Sequence, residues 1–583
     1  MHLTRFSKKI IIILSTLMVL IVGGYLFIRY HFLKVKDFKA DYSKAKNVLD
    51  LRPAIIAKLQ QLVKDGSNGL YILSIQKLDI DVPASKIDAV NASINVDTAA
   101  MQRLDSLKKL PDDIFKIKFA ALEIDGLGIE DLIRKKQMDI NALYCNSPVI
   151  EVFHKSRPYN EAERKAKDTL SLYGRIKGQM KSIQIGNINI GKGTFIDHSM
   201  DKKNRVTRFN VVSIIMKDLL IDSVTQYDNK RFLFTKYTAI ECNNYFFRTP
   251  DSLYFFKAGS IHVSGERHQI IVRDLELKPR VNKQQFERKQ STRKNMYHLT
   301  FPEVTLSNIN WWAMMNREKF VAKEVDITHG TFYIYTDETL PPAPFHLDNF
   351  PQQILMKKSV PISVKKLTLH HYKVAFEELN AKSKKSATVF FDDVTGTANN
   401  ISNDPSDIKK ARYLTLNTKC LFMHKVPLTT RFRFDMAKAH TGAFSADIFM
   451  DTLSNTIINP VAEALGLFTV KKGEMQSCAA HLEGDDFTIK GTISFRYADL
   501  HIDPLKKNKG DDQKKLKKEP LKSLFANTFL IKNSNPEKGN DLRRPAFSVD
   551  RGKNSNFFRF AWVSVLTGLL KTIGIPVKFV LKG

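Results

Sequence analysis

Signatures of catalysis are what this sequence lacks. It contains no HExxH, no GxSxG, no Walker A stretch, no GxGxxG and no EF-hand loop, which removes the best-defined hydrolase, nucleotide-binding and calcium-binding readings. Gly174 and Gly178 flank basic residues, but the lysine and hydroxyl positions that hold phosphate and magnesium are missing. Cysteine is scarce, and Cys145, Cys242, Cys420 and Cys478 lie too far apart for metal-ligand or CxxC spacing. That leaves no disulfide framework in the sequence, although a long-range pair stays open. His370 and His371 end an alternating strand, so their rings are expected on opposite faces, poorly placed to chelate one metal. Asp392-Asp393 has no third partner in the sequence. We therefore assign no catalytic residue, no metal ligand and no cofactor, and read the chain as a non-enzyme. An enzyme with a site built from dispersed residues is the least favoured rival.

Acidic residues are also in deficit. Against 91 Lys and Arg stand 60 Asp and Glu, for a formal net charge of +31. Such a balance fits a solvated lysine-rich exterior, a surface facing anionic lipid headgroups, or nucleic-acid binding. The charge is spread along the chain without an RNP, finger or basic-zipper pattern, so nucleic acid ranks last.

One long apolar run is present. Ile10 to Ile28 is nineteen positions without a charge, about 28 Å as a helix and close to the hydrocarbon thickness of a bilayer. A cleaved signal peptide is the competing reading, but the small residues around Val22-Gly23-Gly24 fall before the run ends. We expect an uncleaved transmembrane helix. Arg5, Lys8 and Lys9 precede it and Arg29, Lys34, Lys36 and Lys39 follow it, so flanking charge does not orient it.

Beyond the anchor, Asp50 to Val63 has apolar residues at helical spacing, and strand signals then take over. Leu78–Val82 and Ala92–Val96 alternate strictly, Phe115, Ile117 and Phe119 continue the pattern, and Leu122 and Ile124 follow. Helical stretches are expected at Asp97–Leu110 and Glu161–Met180. An internal repeat is visible: Phe119–Lys155 aligns without gaps on Phe301–Asp337, with fourteen of 37 positions hydrophobic in both. Each copy has a strand, a short helix (Glu130–Lys135 or Trp312–Arg317) and two further strands. Ile183–Ile190 then resembles Val364–Leu369. Repeated units that cannot bury their own apolar face stack. The expected fold is mostly β with short helices, α+β in detail: an elongated, curved, repeating, groove-like sheet behind an N-terminal transmembrane helix.

Arg280–Lys294 and Lys506–Lys522 are highly charged and read as surface loops. Asn556–Ile573 is apolar with a sparse polar face. It fits a membrane interface, a plug at one end of the sheet, or, preferred here, a helix docked on the core. Its interface candidates are Phe557, Phe558, Trp562 and Leu566. Trp311-Trp312 reads as packing rather than an interface anchor.

Leu414 to Leu505 carries the most recognisable pattern: a Gly442-Ala-Phe444 strand, Asn459-Pro460 before a short helix, a turn at Gly473, Gly484, and Gly491 to Leu500. These resemble the C-terminal region of AsmA-like proteins of Gram-negative envelopes. Asn535-Pro536, Arg551, Ser555 to Phe558 and Trp562 look like the Bacteroidota version, and Ser182–Ile196 is similar to that family's repeating strands. The resemblance implies a single-pass inner-membrane protein with most of its chain in the periplasm. Its segments would be a cytoplasmic tail (1–9), a transmembrane helix (10–28), a repeating β-groove region (40–413), the AsmA-like C-terminal region (414–505), a charged loop (506–522) and a segment with an amphipathic helix (523–583). It implies phospholipids as partners, with outer-membrane or other envelope proteins as further ones, in lipid transport and outer-membrane biogenesis. The groove candidates are Leu122, Ile124, Ile188, Ile190, Val304, Leu306, Leu367 and Leu369, on alternate strand positions where acyl chains would be shielded. The alternative is a structural or interaction protein of the envelope whose apolar face is closed.

Overall fold

The structure, a computed structural model, describes residues 52–575 apart from interruptions, of which 162–172, 507–516 and 519–531 are the longest. The expected anchor at Ile10–Ile28, most of the Glu130–Lys135 and Glu161–Met180 helices, and nearly all of the Lys506–Lys522 loop lie outside the described residues. Among the described residues no helix is long and apolar enough to cross a membrane. The protein is mostly β. By contact density it divides into two units, residues 1–274 with 307–319, and residues 275–306 with 320–583.

The first unit opens with the helix Arg52–Gly66 and the antiparallel pair β1 (Tyr71–Asp81) and β2 (Lys86–Val96). The helix Thr98–Ser106 follows, begun by Asp97, whose carboxylate accepts from the Ala100 backbone N–H and so satisfies a donor the helix leaves unpaired. β3 (Asp113–Asp125) pairs with β2, and then with both β4 (Gln137–Asn146) and β5 (Val149–His154). β4 and β5 together run parallel to β6 (Ser182–Ser199). Antiparallel β7 (Arg205–Ile221), β8 (Tyr237–Arg248) and β9 (Tyr254–Ser264) continue the sheet. Alternation sets the buried side: in β6, Ile183, Ile185, Ile188 and Ile190 are buried and the polar residues between them are not. The slip from Ile185 to Ile188 occurs at Gly186, where a Cβ would sit 2.6 Å from the Asn141 carbonyl oxygen. Trp311 is packed as expected: buried, stacked on Phe232 at 4.1 Å, and donating its indole N–H to the Gly265 carbonyl at 3.0 Å.

β10 (Gln269–Pro279) carries the chain into the second unit. There β11 (Met296–Ser307) leads, through the helix Trp311–Asn316 that belongs to the first unit, to β12 (Phe320–Asp337), which runs parallel to β13 (Ile362–Leu379). An antiparallel meander follows: β14 (Ser386–Ser402), β15 (Tyr413–Phe422), β16 (Val426–Asp435), β17 (Phe444–Met450), β18 (Phe468–Gly484) and β19 (Thr488–Lys506). The two-residue β20 (Lys517–Lys518) and then β21 (Ala546–Asp550) pair with β19.

The repeat is real at the level of topology. In each copy strands precede a crossover, and the strand after the crossover lies parallel: β4 and β5 against β6, β12 against β13. A parallel join needs a long connection, and the stretches from His154 to Ser182 and from Asp337 to Ile362 provide one each.

Three expectations need correction. Arg280–Lys294 is not a free surface loop, because it contains the helix Lys283–Arg288, buries Phe286, and ties Arg293 to Glu338 at 2.9 Å. Its charge concealed one apolar anchor and one specific ion pair. Gly473 lies within β18 rather than at a turn, at φ 132°, where a Cβ would sit 2.8 Å from the Leu500 Cα. Asn459-Pro460 lies inside the helix Asn455–Val461, not before it. The Asn459 amide there accepts from and donates to the Val470 backbone at 2.8 and 2.9 Å, fixing the helix to β18.

Candidate functional site

Hydrogen-bond register identifies one face of the second unit's sheet. Val325, Leu367, Ala398, Leu416, Phe432, Ala446, Leu482, Gly491 and Phe547 are successive cross-strand partners from β12 to β19 and on to β21. Paired residues project to the same side of a sheet, so this row is an apolar band crossing nine strands. A second row, Phe332, Val374, Phe391 and Phe422, lies along the same side across β12 to β15. Between the rows β13 makes a bulge at His371 (φ 53°), which restores Tyr372 and Val374 to the side of Leu369.

The helix Phe557–Ile573 lies on this face. Asn556 caps it, its side chain accepting from the Arg559 N–H at 2.9 Å, and Gly574 ends it in the left-handed conformation at φ 85°. Phe557 packs into an aromatic cluster, 5.0 Å from Phe444, 5.1 Å from Phe350, 5.4 Å from Phe434 and 5.9 Å from Phe432. Gly568 rests on the sheet, where a Cβ would lie 2.6 Å from Phe547 and 3.0 Å from Ile493. Under this helix the band is core: Ala446, Leu482, Ile493 and Phe547 are buried. Along β12 and β13 it is not fully covered. Ile327, Phe332, Ile334, Leu367, Leu369, Val374 and Phe376 are each only half-buried.

Charge marks where the helix meets these strands. Arg559 donates to Glu338 just past the end of β12 and to Glu378 near the end of β13, at 2.5 and 3.1 Å, and Arg293 also reaches Glu338. Burial, and after it the Glu338 carboxylate, hold the Glu378 carboxyl above the ordinary glutamate range against the pull of Arg559.

The sequence candidates divide. Leu122, Ile124, Ile188 and Ile190 are all buried in the first unit, whereas Val304, Leu306, Leu367 and Leu369 are half-buried in the second. Leu367 and Leu369 belong to the face just described, together with Ile327, Phe332, Ile334, Val374 and Phe376, which the sequence reading missed. Their alternation is interrupted by bulges at Gly330 and His371, so a strict period-two search loses the phase. Of the interface candidates, Phe557 is buried. Phe558 and Trp562, 60% and 46% exposed, face outward, and the half-buried Leu566 packs against the core. The expected docking of this helix on the core is what the structure has.

The histidines and aspartates passed over in the sequence do find partners. His371 pairs with Asp393 at 2.5 Å and stacks on His329, while Asp392 pairs with His424 at 2.6 Å. The first pair ties β13 to β14 and the second ties β14 to the β15–β16 turn, a closeness that spacing along the chain conceals. Among the described residues no group of histidine, cysteine and carboxylate side chains could hold a metal. The thiols of Cys145, Cys242 and Cys478 are pushed up to about 12 by burial, which removes them as nucleophiles near neutral pH. No family model and no curated protein matches this chain.

Proposed function

We propose that this chain is a membrane-anchored, AsmA-like envelope protein that binds or conducts phospholipid along an apolar sheet face. In this reading Ile10–Ile28 anchors it in the inner membrane and the β-rich body lies in the periplasm, serving lipid transport to the outer membrane. The observation that carries the reading is the half-buried apolar stretch of β12 and β13, continuous in register with a core that a helix covers. Fully buried side chains would leave a ligand no apolar surface to cover. Half-buried rows of Ile, Leu, Val and Phe leave an acyl chain apolar surface to cover, at about 0.8 kcal/mol per CH₂ removed from water.

Photo-crosslinking tests it directly. A crosslinking residue at Leu369 or Phe376 should capture phospholipid, identified by mass spectrometry, and one at the buried Ile188 should not. No lipid at Leu369 or Phe376 in folded protein would end the proposal.

One observation favours the alternative, a structural or interaction protein with a closed core. The first-unit candidates Leu122, Ile124, Ile188 and Ile190 are buried, so any lipid path through that unit would have to avoid them.

A further inference from the structure

Two strands of the first unit bring three complementary side chains into one line. β3 and β5 are antiparallel, and their register sets Asp113, the first residue of β3, directly opposite His154, the last of β5. Paired residues project to the same side of a sheet, and the His154 Nδ1 lies 2.6 Å from the Asp113 Oδ1. A carboxylate only accepts, so Nδ1 carries the proton and donates it. That tautomer leaves the lone pair on Nε2, and the Ser156 Oγ lies 3.4 Å from it. The contact is long, and a nucleophile and its base are often this loose before a substrate tightens them.

The backbone on either side of the serine is fixed. The Lys155 N–H donates to the Asp112 carbonyl at 2.9 Å, and the Arg157 N–H to the Asp112 carboxylate at 2.9 Å. Arg157, buried, also donates through Nη1 to the Pro111 carbonyl at 2.6 Å. Asn160 donates to the Leu110 carbonyl and the Asp112 carboxylate at 2.8 and 2.9 Å. Both neighbours of Ser156 are thus tied to the stretch of chain that leads into Asp113. Ser156 itself is exposed, while His154 and Asp113 are half-buried, so the hydroxyl is open to a molecule arriving from solvent.

We propose that Ser156 is a nucleophile for carboxylic esters, with His154 as its general base and Asp113 as the residue that positions the imidazole. The Ser156 Oγ bonds to the ester carbonyl carbon as its proton passes to the His154 Nε2. The bond from that carbon to the alcohol oxygen then breaks, and the alcohol leaves with the proton. Water attacks the acyl-serine in the same way, giving a proton to Nε2. The acid departs and that proton returns to Oγ, which restores the starting state. This activity goes beyond the lipid-binding reading and does not depend on it.

The test uses the full-length protein in detergent with a fluorophosphonate probe, which phosphonylates activated serines, and with p-nitrophenyl acetate as the ester. Wild type should be labelled at Ser156, mapped by peptide mass spectrometry, and should hydrolyse the ester. Ser156→Ala should lose both. His154→Gln should slow labelling about a hundredfold or more. Asp113→Asn, which keeps the shape of the side chain, should slow it about tenfold or more with the unfolding midpoint unchanged, an outcome that a merely structural role for Asp113 would not give. Ser106, equally exposed but hydrogen-bonded to the Arg103 carbonyl with no histidine, should stay unlabelled. The proposal is overturned if wild type does not react with the probe, if Ser106 is labelled as readily as Ser156, or if labelling keeps its rate in Asp113→Asn. None of these outcomes bears on lipid binding.

Discussion

Arg551 and Asp486 form an ion pair whose side chains are 1% and 3% exposed, with Nη1 donating to Oδ1 at 2.8 Å. The guanidinium lies over the Phe350 ring, 4.5 Å from its centroid, and also donates to the Asn349 side chain, while Gln353 donates to the second Asp486 oxygen. The pair thus joins the segment before β13, the β18–β19 turn and the strand that leads into the Phe557–Ile573 helix. Removing one partner leaves a buried charge without compensation. Arg551→Ala should cost about 3–5 kcal/mol, read by chemical denaturation. A loss below about 1 kcal/mol would show that the pair is not a brace.

Gly568 gives a prediction whose sign runs against helix propensity. On a free helix, Gly→Ala stabilises by about 1 kcal/mol. Here the added methyl would lie 2.6 Å from Phe547, and overpacking of a tight contact costs about 1–3 kcal/mol. Gly568→Ala should therefore lower the unfolding midpoint. A raised midpoint would mean that the helix does not sit as described.

Charge introduced along the apolar positions should separate folding from binding. Ile188→Asp places a carboxylate among buried isoleucines of β6 and should unfold the protein or cost more than about 4 kcal/mol. Leu369→Asp, at a half-buried position, should cost about 1–2 kcal/mol and abolish lipid capture. The measurements are thermal unfolding and co-purified phospholipid by mass spectrometry. Equal destabilisation at both positions would contradict the division between closed and partly open faces.

Stability should depend on pH through Glu378. Its folded-state pKa is raised, chiefly by burial, so the folded chain holds this proton more tightly than the unfolded chain does. The group's contribution is thus fully favourable below the ordinary glutamate value of 4.5 and is lost as pH rises through the folded value. Glu378→Gln removes that titration. The unfolding midpoint of the variant relative to wild type should be highest near about pH 7 and should fall as the solution is acidified. A difference that does not change with pH would exclude Glu378 as the source.

The legible part of this protein was its local periodicity. The alternation at Leu78–Val82 and Ala92–Val96 became β1 and β2, and Asp97 and Asn556 became the caps that begin their helices. The repeat could be aligned because the apolar pattern follows the same strand order in both copies. These features depend on neighbours within a few residues, and side-chain spacing fixes them wherever the chain lies in space.

Which apolar rows become closed core was decided only in three dimensions. Ile188 and Leu369 look alike in the sequence, each on an alternating strand, yet one is buried and the other half-covered. The difference depends on what lies across the sheet, and for the second unit that is a helix almost two hundred residues beyond Leu369. The parallel join of β12 and β13 likewise follows from a crossover and not from spacing. The amino-acid sequence by itself set the strands, their two faces and the helix ends. Only the tertiary structure decided which face is covered, because burial is a property of the opposing surface as much as of the residue.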